Sequence, residues 1–229
     1  NSVTSYMLRV DEGFHYLLTE GEGSTRTLRI DPFEGEYRWE EGKNISLRFL
    51  STGYNETFQQ DTLGALSFYL FTRGGLITIG DHRYLKGPNY QPVFFLNQST
   101  QNYYSDITNL TLMRPYDRTM KIELNYRPVL YSWFDQTNNH LSISIGIMII
   151  EPLYDDYYFS SYGELKINYN KTETIFTTNT STTDDFIVRG SINPSTFIPY
   201  EQVLTFEKPT GVTTYTVSIE IFGSYFLLK

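Results

Sequence analysis

The side chains that most often perform catalysis or bind metals are few in this sequence and widely spaced. The chain has three histidines and no cysteine. His15, His82 and His140 lack the HExxH and His-x-His spacings that direct two imidazoles at one metal ion. The absence of cysteine excludes disulfides, thiolate ligands and cysteine nucleophiles, and no G-x-S-x-G elbow or phosphate-binding glycine motif occurs. We therefore expect neither an enzyme nor a cofactor or metal site.

Two acidic pairs, Asp155-Asp156 and Asp184-Asp185, carry the hard oxygen atoms that calcium prefers. Neither pair has the ligand spacing of a known calcium loop, and we interpret both as solvated turns. A glycosidase would need two carboxylates held at a fixed separation in a cleft. The sequence does not locate such a pair among its 26 acidic residues, so this possibility stays open.

A modification signal is more frequent than any catalytic signal. Six Asn-X-Ser/Thr sequons occur, and their asparagines are Asn44, Asn55, Asn97, Asn109, Asn170 and Asn179. This is about twice the number that chance would give for the composition. At least four of them lie beside turn-forming residues, where a glycan could extend into solvent. We predict N-glycosylation; the alternative is that a chain rich in Thr and Asn forms sequons by accident.

The composition favours an all-β protein with one large core. The chain has 229 residues, 20 tyrosines, 16 phenylalanines and a single alanine, Ala65. Tyr, Phe, Thr, Ile and Val favour strands, whereas alanine and methionine favour helices. The net charge of −8, without a basic stripe, argues against nucleic acid. No apolar run approaches the roughly 18 residues of a membrane span. The chain begins at Asn1, which leaves open whether a signal peptide was removed or the chain was trimmed.

The elements that would hold a site are short strands. The clearest is residues 140–152, in which isoleucines and a leucine alternate with serines before both faces become apolar at Met148. We count a dozen or more strands at regular spacing, which predicts an antiparallel β-sandwich of the immunoglobulin-like or jelly-roll type. Residues 97–106, 154–162 and 177–185 are interpreted as surface loops.

The N-terminal segment has a pattern of its own. Its apolar side chains alternate, which predicts one strand with a bend, or two short strands, over residues 5–18; they are Tyr6, Leu8, Val10, Phe14, Tyr16 and Leu18. The polar, glycine-bearing residues 19–25 that follow are typical of a hinge. We therefore divide the chain into a tail, residues 1–22, and a head domain, residues 23–229. The N-terminal strand pairs either inside its own sheet or with the sheet of a neighbouring subunit.

This layout resembles the subunits of archaeal extracellular threads. The shared features are an alternating N-terminal segment, a Gly/Glu hinge, a cysteine-free β domain rich in Tyr, Thr and Asn, and many sequons. The resemblance covers the whole chain and rests on layout, without a signature motif. It implies a homopolymeric surface filament for adhesion or biofilm formation, with copies of itself, cell surfaces or neighbouring filaments as partners.

The same resemblance implies donor-strand complementation. The six alternating N-terminal side chains would fill a groove on the next subunit. That groove would be lined by Leu141, Ile143, Ile145, Ile147, Val217, Ile219 and Ile221. The location implied is extracellular, at the cell surface.

Two other functions are compatible with the sequence. A viral capsid or turret protein with a jelly-roll core would share the aromatic β composition without needing a detachable N-terminal strand. A carbohydrate-binding module would use exposed tyrosines, such as those of residues 154–162 or Tyr103-Tyr104, to stack on sugars. The alternative for these tyrosines is that they pack the core.

Overall fold

The computed structural model of the chain describes residues 3–31, 35–71, 77–87, 93–96, 107–154, 158–160, 162–194 and 200–229. These residues form one helix and sixteen strands, so the prediction of a mostly β protein with several sheets is confirmed. The helix α1 spans Val3–Glu20. The strands of the first half are β1 (Thr25–Ile30), β2 (Gly35–Glu40), β3 (Lys43–Ser51), β4 (Tyr54–Gln60), β5 (Ala65–Phe71), β6 (His82–Lys86), β7 (Phe95–Leu96) and β8 (Thr108–Tyr116). Those of the second half are β9 (Thr119–Tyr126), β10 (Val129–Asp135), β11 (His140–Pro152), β12 (Tyr158–Phe159), β13 (Gly163–Thr182), β14 (Phe186–Pro194), β15 (Tyr200–Phe206) and β16 (Tyr215–Leu228).

The strands are arranged in three sheets. Sheet A has the order β1-β13-β16-β11-β10-β7, sheet B has the order β12-β2-β5-β9-β8-β6, and sheet C has the order β15-β14-β3-β4. Sheet A contains the three longest strands of the described chain, β11, β13 and β16. These strands are long enough to enter two separate cores.

Strand β11 shows how sheet A is shared. Its side chains from Leu141 to Ile149 at odd positions lie in a core with sheet C, whereas Met148 and Ile150 lie in a core with sheet B and α1. Because successive side chains of a strand point to opposite faces, the two cores lie on opposite faces of sheet A. The sequence already shows this change of core, because both faces of the strand become apolar near Met148.

The N-terminal segment forms an α-helix, so the predicted strand over residues 5–18 is wrong. The buried apolar side chains of α1 are Met7, Val10, Phe14 and Leu17. Their intervals of three and four residues place them on one face of a helix. The alternation of Tyr6, Leu8, Val10, Phe14, Tyr16 and Leu18 that predicted a strand arose because partly exposed apolar residues flank this face. No helix in the described part of the chain is long and apolar enough to cross a membrane.

A buried carboxylate fixes α1 on sheet B. Asp11 is fully buried, and its Oδ1 accepts hydrogen bonds from Thr108 Oγ1 at 2.8 Å and from the Tyr126 hydroxyl at 3.0 Å. Its Oδ2 accepts from Lys86 Nζ at 2.5 Å. A buried carboxylate is tolerated only when it is paired and hydrogen-bonded, so these contacts set the position of the helix along the sheet.

The predicted hinge is a turn tied to sheet A. Gly23 donates its backbone N–H to the carbonyl of Tyr169 at 2.7 Å, and the N–H of Tyr169 donates to the carbonyl of Ser24 at 3.0 Å. Gly21 ends the helix by donating to Leu17, and its φ of 93° explains why glycine occupies this position. Residues 3–20 therefore share a core with residues of the predicted head domain.

Two further expectations need correction. Strands β11 and β16 run parallel over thirteen residue pairs, from His140–Thr216 to Pro152–Leu228, so the sandwich is not purely antiparallel. An alternating pattern of side chains does not indicate whether two neighbouring strands run parallel or antiparallel. The direction of β16 beside β11 depends on the connection through β13, β14 and β15, which the chain forms first. Most of residues 177–185 belong to strand β13, where residues 177–182 pair with β16; Thr183, Asp184 and Asp185 lie outside the strand, as the predicted turn requires.

Phe14 and Tyr16 give a test that separates a helix from a strand. In a strand both side chains would share one face, whereas in α1 Phe14 is fully buried and Tyr16 is 45% exposed. Phe14 packs edge to face on Tyr126 and Phe226, with centroids at 5.4 and 5.3 Å. We expect Phe14→Ala to lower the free energy of unfolding by about 3–5 kcal/mol in denaturant titrations. Tyr16→Ala, the matched control, should cost less than about 1 kcal/mol. Equal losses would contradict the helix.

Candidate interaction surfaces

The residues of the predicted acceptor groove lie together but are covered. Leu141 pairs with Val217, Ile143 with Ile219 and Ile145 with Ile221 across β11 and β16, so the seven side chains do share one face. That face packs on sheet C in the core between the two sheets, where all seven side chains, Ile147 included, are buried. The chain fills this face with its own strands, and the proposed donor side chains belong to a helix on the opposite face.

The sequons differ in accessibility. Among the residues that the structure describes, Asn44, Asn55, Asn170 and Asn179 are exposed. Asn109 is buried, with 7% of its surface accessible, and its side-chain oxygen accepts a hydrogen bond from Thr111 of its own sequon at 2.9 Å. Asn97 lies outside the described residues. Whether the exposed sequons carry glycans stays a prediction.

Three of the exposed sequons lie in two edge strands that adjoin each other. Asn55 lies in β4, the edge of sheet C. Asn170 and Asn179 lie in the part of β13 beyond residues 163–168, which are the residues that pair with β1. The two edges adjoin, since the Tyr54 hydroxyl of β4 is 2.6 Å from Oγ1 of Thr178. Glycans at these positions would cover unpaired strand edges, which otherwise invite pairing with another chain.

A second surface is the face of sheet A opposite sheet C, which we call the open face. It is formed by strands β10, β11, β16 and β13 in cross-strand rows. One row is Trp133, Ser142, Ser218 and Asn179, and the next is Tyr131, Ser144, Glu220 and Thr177. Each row thus begins with an aromatic ring and continues through small hydroxyl, amide or carboxylate side chains.

The aromatic side of the open face is exposed and borders a cavity. Trp133 is 54% exposed and Tyr131 is 45% exposed. Tyr131 lines a cavity of about 700 Å³ where the open face meets the end of α1. The wall of this cavity also includes Leu18, Met148, Tyr169 and Phe222. An exposed pair of rings next to a largely apolar cavity is typical of a binding surface.

The polar side of the open face is already organised by hydrogen bonds. His140 lies with Nδ1 at 2.7 Å from Thr216 Oγ1 and with Nε2 at 2.8 Å from Ser218 Oγ. Glu220 accepts a hydrogen bond from Thr174 Oγ1 at 3.3 Å. Because both ring nitrogens have hydroxyl partners, the imidazole is oriented and its neighbouring hydroxyls are positioned. These groups could donate to and accept from an uncharged polar ligand.

A third region is a buried polar cluster on sheet B, on the side away from α1. Lys121 Nζ lies 2.5 Å from Glu40 Oε2 and 2.7 Å from Glu123 Oε2. Glu123 also accepts from Asn125 Nδ2 at 2.7 Å, and the Asn125 oxygen accepts from Lys43 Nζ at 2.9 Å. Apart from Glu40, these side chains are buried. The cluster therefore consists of charges that are compensated away from water.

The electrostatics of this cluster are unusual. Burial acts to lower the pKa of Lys121, but the charges of Glu123 and Glu40 raise it above the ordinary lysine value. Burial raises the pKa of the Tyr69 hydroxyl to about 12, assisted by its hydrogen bond to Glu40. Lys43 behaves in the opposite way, because burial lowers the pKa of its amine to about 8. One cluster thus contains a firmly charged lysine and a lysine that loses its proton easily.

The sequence interpretation missed both the open face and the buried cluster. Trp133 and Tyr131 alternate with Ser132, a signal that marks an aromatic strand face but not its exposure. Lys121, Glu123 and Asn125 alternate with apolar residues, which ordinarily indicates a solvent-facing side. The exposed Tyr154, Tyr158 and Tyr162 of the predicted loop lie outside both surfaces. Within the described residues, no group of three His, Cys, Asp or Glu could hold a metal ion.

No family model, no curated protein and no solved structure matches the chain.

The accessibility of the sequons leads to a prediction about the native protein. We expect glycopeptide mass spectrometry to find glycans at Asn44, Asn55, Asn170 or Asn179 and none at Asn109. The physical reason is that a glycan on Asn109 would displace a buried side chain from its hydrogen bond with Thr111. The exposed asparagines serve as controls within the same sample. A glycan on Asn109 would contradict this expectation, as would a native protein without glycans at the four exposed sites.

Proposed function

We propose that the protein is a non-catalytic, extracellular adhesion protein that binds carbohydrate on its open face. The observation that carries the proposal is the position of Trp133 and Tyr131, which are exposed side by side on one strand and continue into rows of hydroxyl groups. Aromatic rings provide apolar surface at little entropic cost and can stack on the C–H faces of sugar rings. Adjacent side chains on one strand face lie about 7 Å apart.

The polar groups of the open face support a neutral ligand. Ser142, Ser144 and Ser218 offer hydroxyls that both donate and accept hydrogen bonds. The charged group of these two rows is Glu220, an acceptor. An anionic polysaccharide would meet this carboxylate without a matching cation in either row. The chemistry therefore favours an uncharged oligosaccharide.

Trp133 provides the test of this proposal. We expect a glycan array to identify a neutral oligosaccharide that binds the wild-type protein, and Trp133→Ala to weaken that binding about tenfold or more. We expect this loss because the substitution removes the ring that stacks on the sugar, while the other packing contacts of β10 remain. Tyr116→Ala is the matched control, because Tyr116 is a similarly exposed aromatic residue in sheet B. Absence of binding to any sugar, or an equal loss in both variants, would contradict the proposal.

Assembly into a surface filament is the second candidate, and one observation favours it. No described strand pairs with the outer side of β13 over residues 170–182. Unpaired edges of this length accept a strand from another chain, which is the physical basis of β-augmentation. In this form the filament would need no donor strand from α1, and subunits would join edge to edge. The filament would serve adhesion or biofilm formation at the cell surface.

Electron microscopy of the native protein tests the second candidate. Filaments are expected if strand addition at the β13 edge joins the subunits. Asn170 and Asn179 lie in this edge, so glycans there should oppose the contact, and enzymatic deglycosylation should lengthen the filaments. Monomers before and after deglycosylation would exclude assembly through this edge, while leaving carbohydrate binding by the open face unaffected.

A further inference from the structure

The buried cluster on sheet B contains three groups in an arrangement with covalent potential. The Lys43 amine donates a hydrogen bond to the side-chain oxygen of Asn125 at 2.9 Å. The amide nitrogen of Asn125 donates to a carboxylate oxygen of Glu123 at 2.7 Å. All three residues are buried. The Lys43 amine is therefore in contact with the Asn125 carboxamide, and the nitrogen of that carboxamide is hydrogen-bonded to the Glu123 carboxylate.

The backbone holds the amine in this position. The carbonyl of Lys43 accepts a hydrogen bond from the N–H of Leu63 at 2.9 Å, and Lys43 also pairs with Pro194 at the start of β3. Gly42 precedes it with a φ of 72°, and a side chain on Gly42 would meet Ala65. The backbone at residues 42–43 thus lies close to the start of β5. This held backbone directs the Lys43 amine toward β9. Fixed geometry of this kind raises the effective concentration of two reacting groups.

The amine is prepared for nucleophilic attack. Burial lowers the pKa of Lys43 to about 8. The charge of Glu123 opposes this shift, whereas those of Arg127 and Lys121 act in the same direction as burial. The neutral form of this amine is therefore more populated near pH 7 than that of an ordinary lysine. Only the neutral amine has the lone pair that attacks a carbonyl carbon.

We propose that Lys43 and Asn125 join in an intramolecular isopeptide bond that the folded protein forms without a cofactor. Nζ of Lys43 bonds to Cγ of Asn125, and the Cγ–Nδ2 bond breaks. Nδ2 leaves as ammonia after receiving the proton that Nζ loses. The products are a secondary amide and one ammonia molecule, so atoms and electrons balance without an oxidant or a further reactant.

Glu123 carries the proton in this reaction. Its Oε1 already contacts Nδ2, the atom that must be protonated to leave. Its Oε2 is held by Lys121 at 2.7 Å, which fixes the carboxylate beside the reacting amide. The carboxylate accepts the proton that Nζ releases after attack and delivers it to Nδ2. Glu123 is therefore assigned as the catalytic residue, and Lys121 as a positioning residue.

The bond would connect sheet B and sheet C covalently. Lys43 begins β3 of sheet C, and Asn125 lies in β9 of sheet B. The two residues are 82 positions apart in the chain. A covalent link across such a separation restricts the unfolded chain in the way that a disulfide does, and this chain has no cysteine with which to form one.

The intact mass of the full chain is the experiment. The protein is produced in a host without N-glycosylation, unfolded, and weighed by mass spectrometry. We expect a mass lower than that of the sequence by one ammonia molecule. Proteolysis should then yield one branched peptide that contains Lys43 and Asn125. A wild-type protein at its full sequence mass, without a branched peptide, would overturn the proposal.

Variants connect the mass loss to the three residues. Lys43→Met and Asn125→Ala should restore the full sequence mass and lower the melting temperature by about 10 °C or more. Glu123→Gln keeps a hydrogen-bonding group but removes the acid–base function, so we expect little or no mass loss. Lys171→Met is the matched control, since this exposed lysine pairs with Glu173 at 2.8 Å and should leave the mass loss unchanged. An undiminished mass loss in Lys43→Met or Asn125→Ala would contradict the assigned bond, and one in Glu123→Gln the assigned proton carrier.

Discussion

The fold depends on burial of sheet A on opposite faces at its two ends. At one end the odd-numbered side chains of β11 and β16 pack on sheet C, and at the other end Ile150 and Phe226 pack on sheet B and α1. Each end by itself is an ordinary two-layer packing, in which an apolar sheet face is removed from water. The long strands join the two packings in one sheet, so neither core can shift without the other. The backbone at Gly64 lies directly against β11, because a side chain there would collide with the backbone of Ile150.

The offset of the two cores also explains where the surfaces lie. Sheet B and α1 cover the end of one face of sheet A, and the remainder of that face is the open face with Trp133 and Tyr131. The cavity beside Tyr131 lies at the border, where Leu18 at the end of α1 meets Met148 and Phe222. A ligand bound there would contact the helix as well as the sheet. The N-terminal segment, for which the resemblance to thread subunits implied a donor strand, is instead a helix that defines one end of the candidate binding surface.

The strands were more predictable than the helix, for a physical reason. Strand β11 is long and its period of two is unbroken, and even its change from one apolar face to two was visible at Met148. In α1, the buried residues Met7, Val10, Phe14 and Leu17 fit a helix, but partly exposed Leu8 and Leu18 created a competing alternation. In a short segment, the same residues often fit both the three- and four-residue intervals of a helix and the two-residue interval of a strand. The low alanine content of the chain then favoured the interpretation as a strand over that as a helix. The direction of β16 depends on chain crossings that no local pattern records.

The candidate sites were less predictable than the fold because they depend on what covers a strand face. In β9, Lys121, Glu123 and Asn125 alternate with apolar residues, as the polar side of an exposed strand would, yet they are buried. Burial changes their chemistry: in water Lys43 would keep its proton and Asn125 would be hydrated, whereas in the cluster the amine and the amide contact each other. The same argument applies to Asp11, which fixes α1 at the junction of helix and sheet. In both cases buried polar groups lie where two layers join, because specific hydrogen bonds define a relative position that apolar packing alone leaves adjustable.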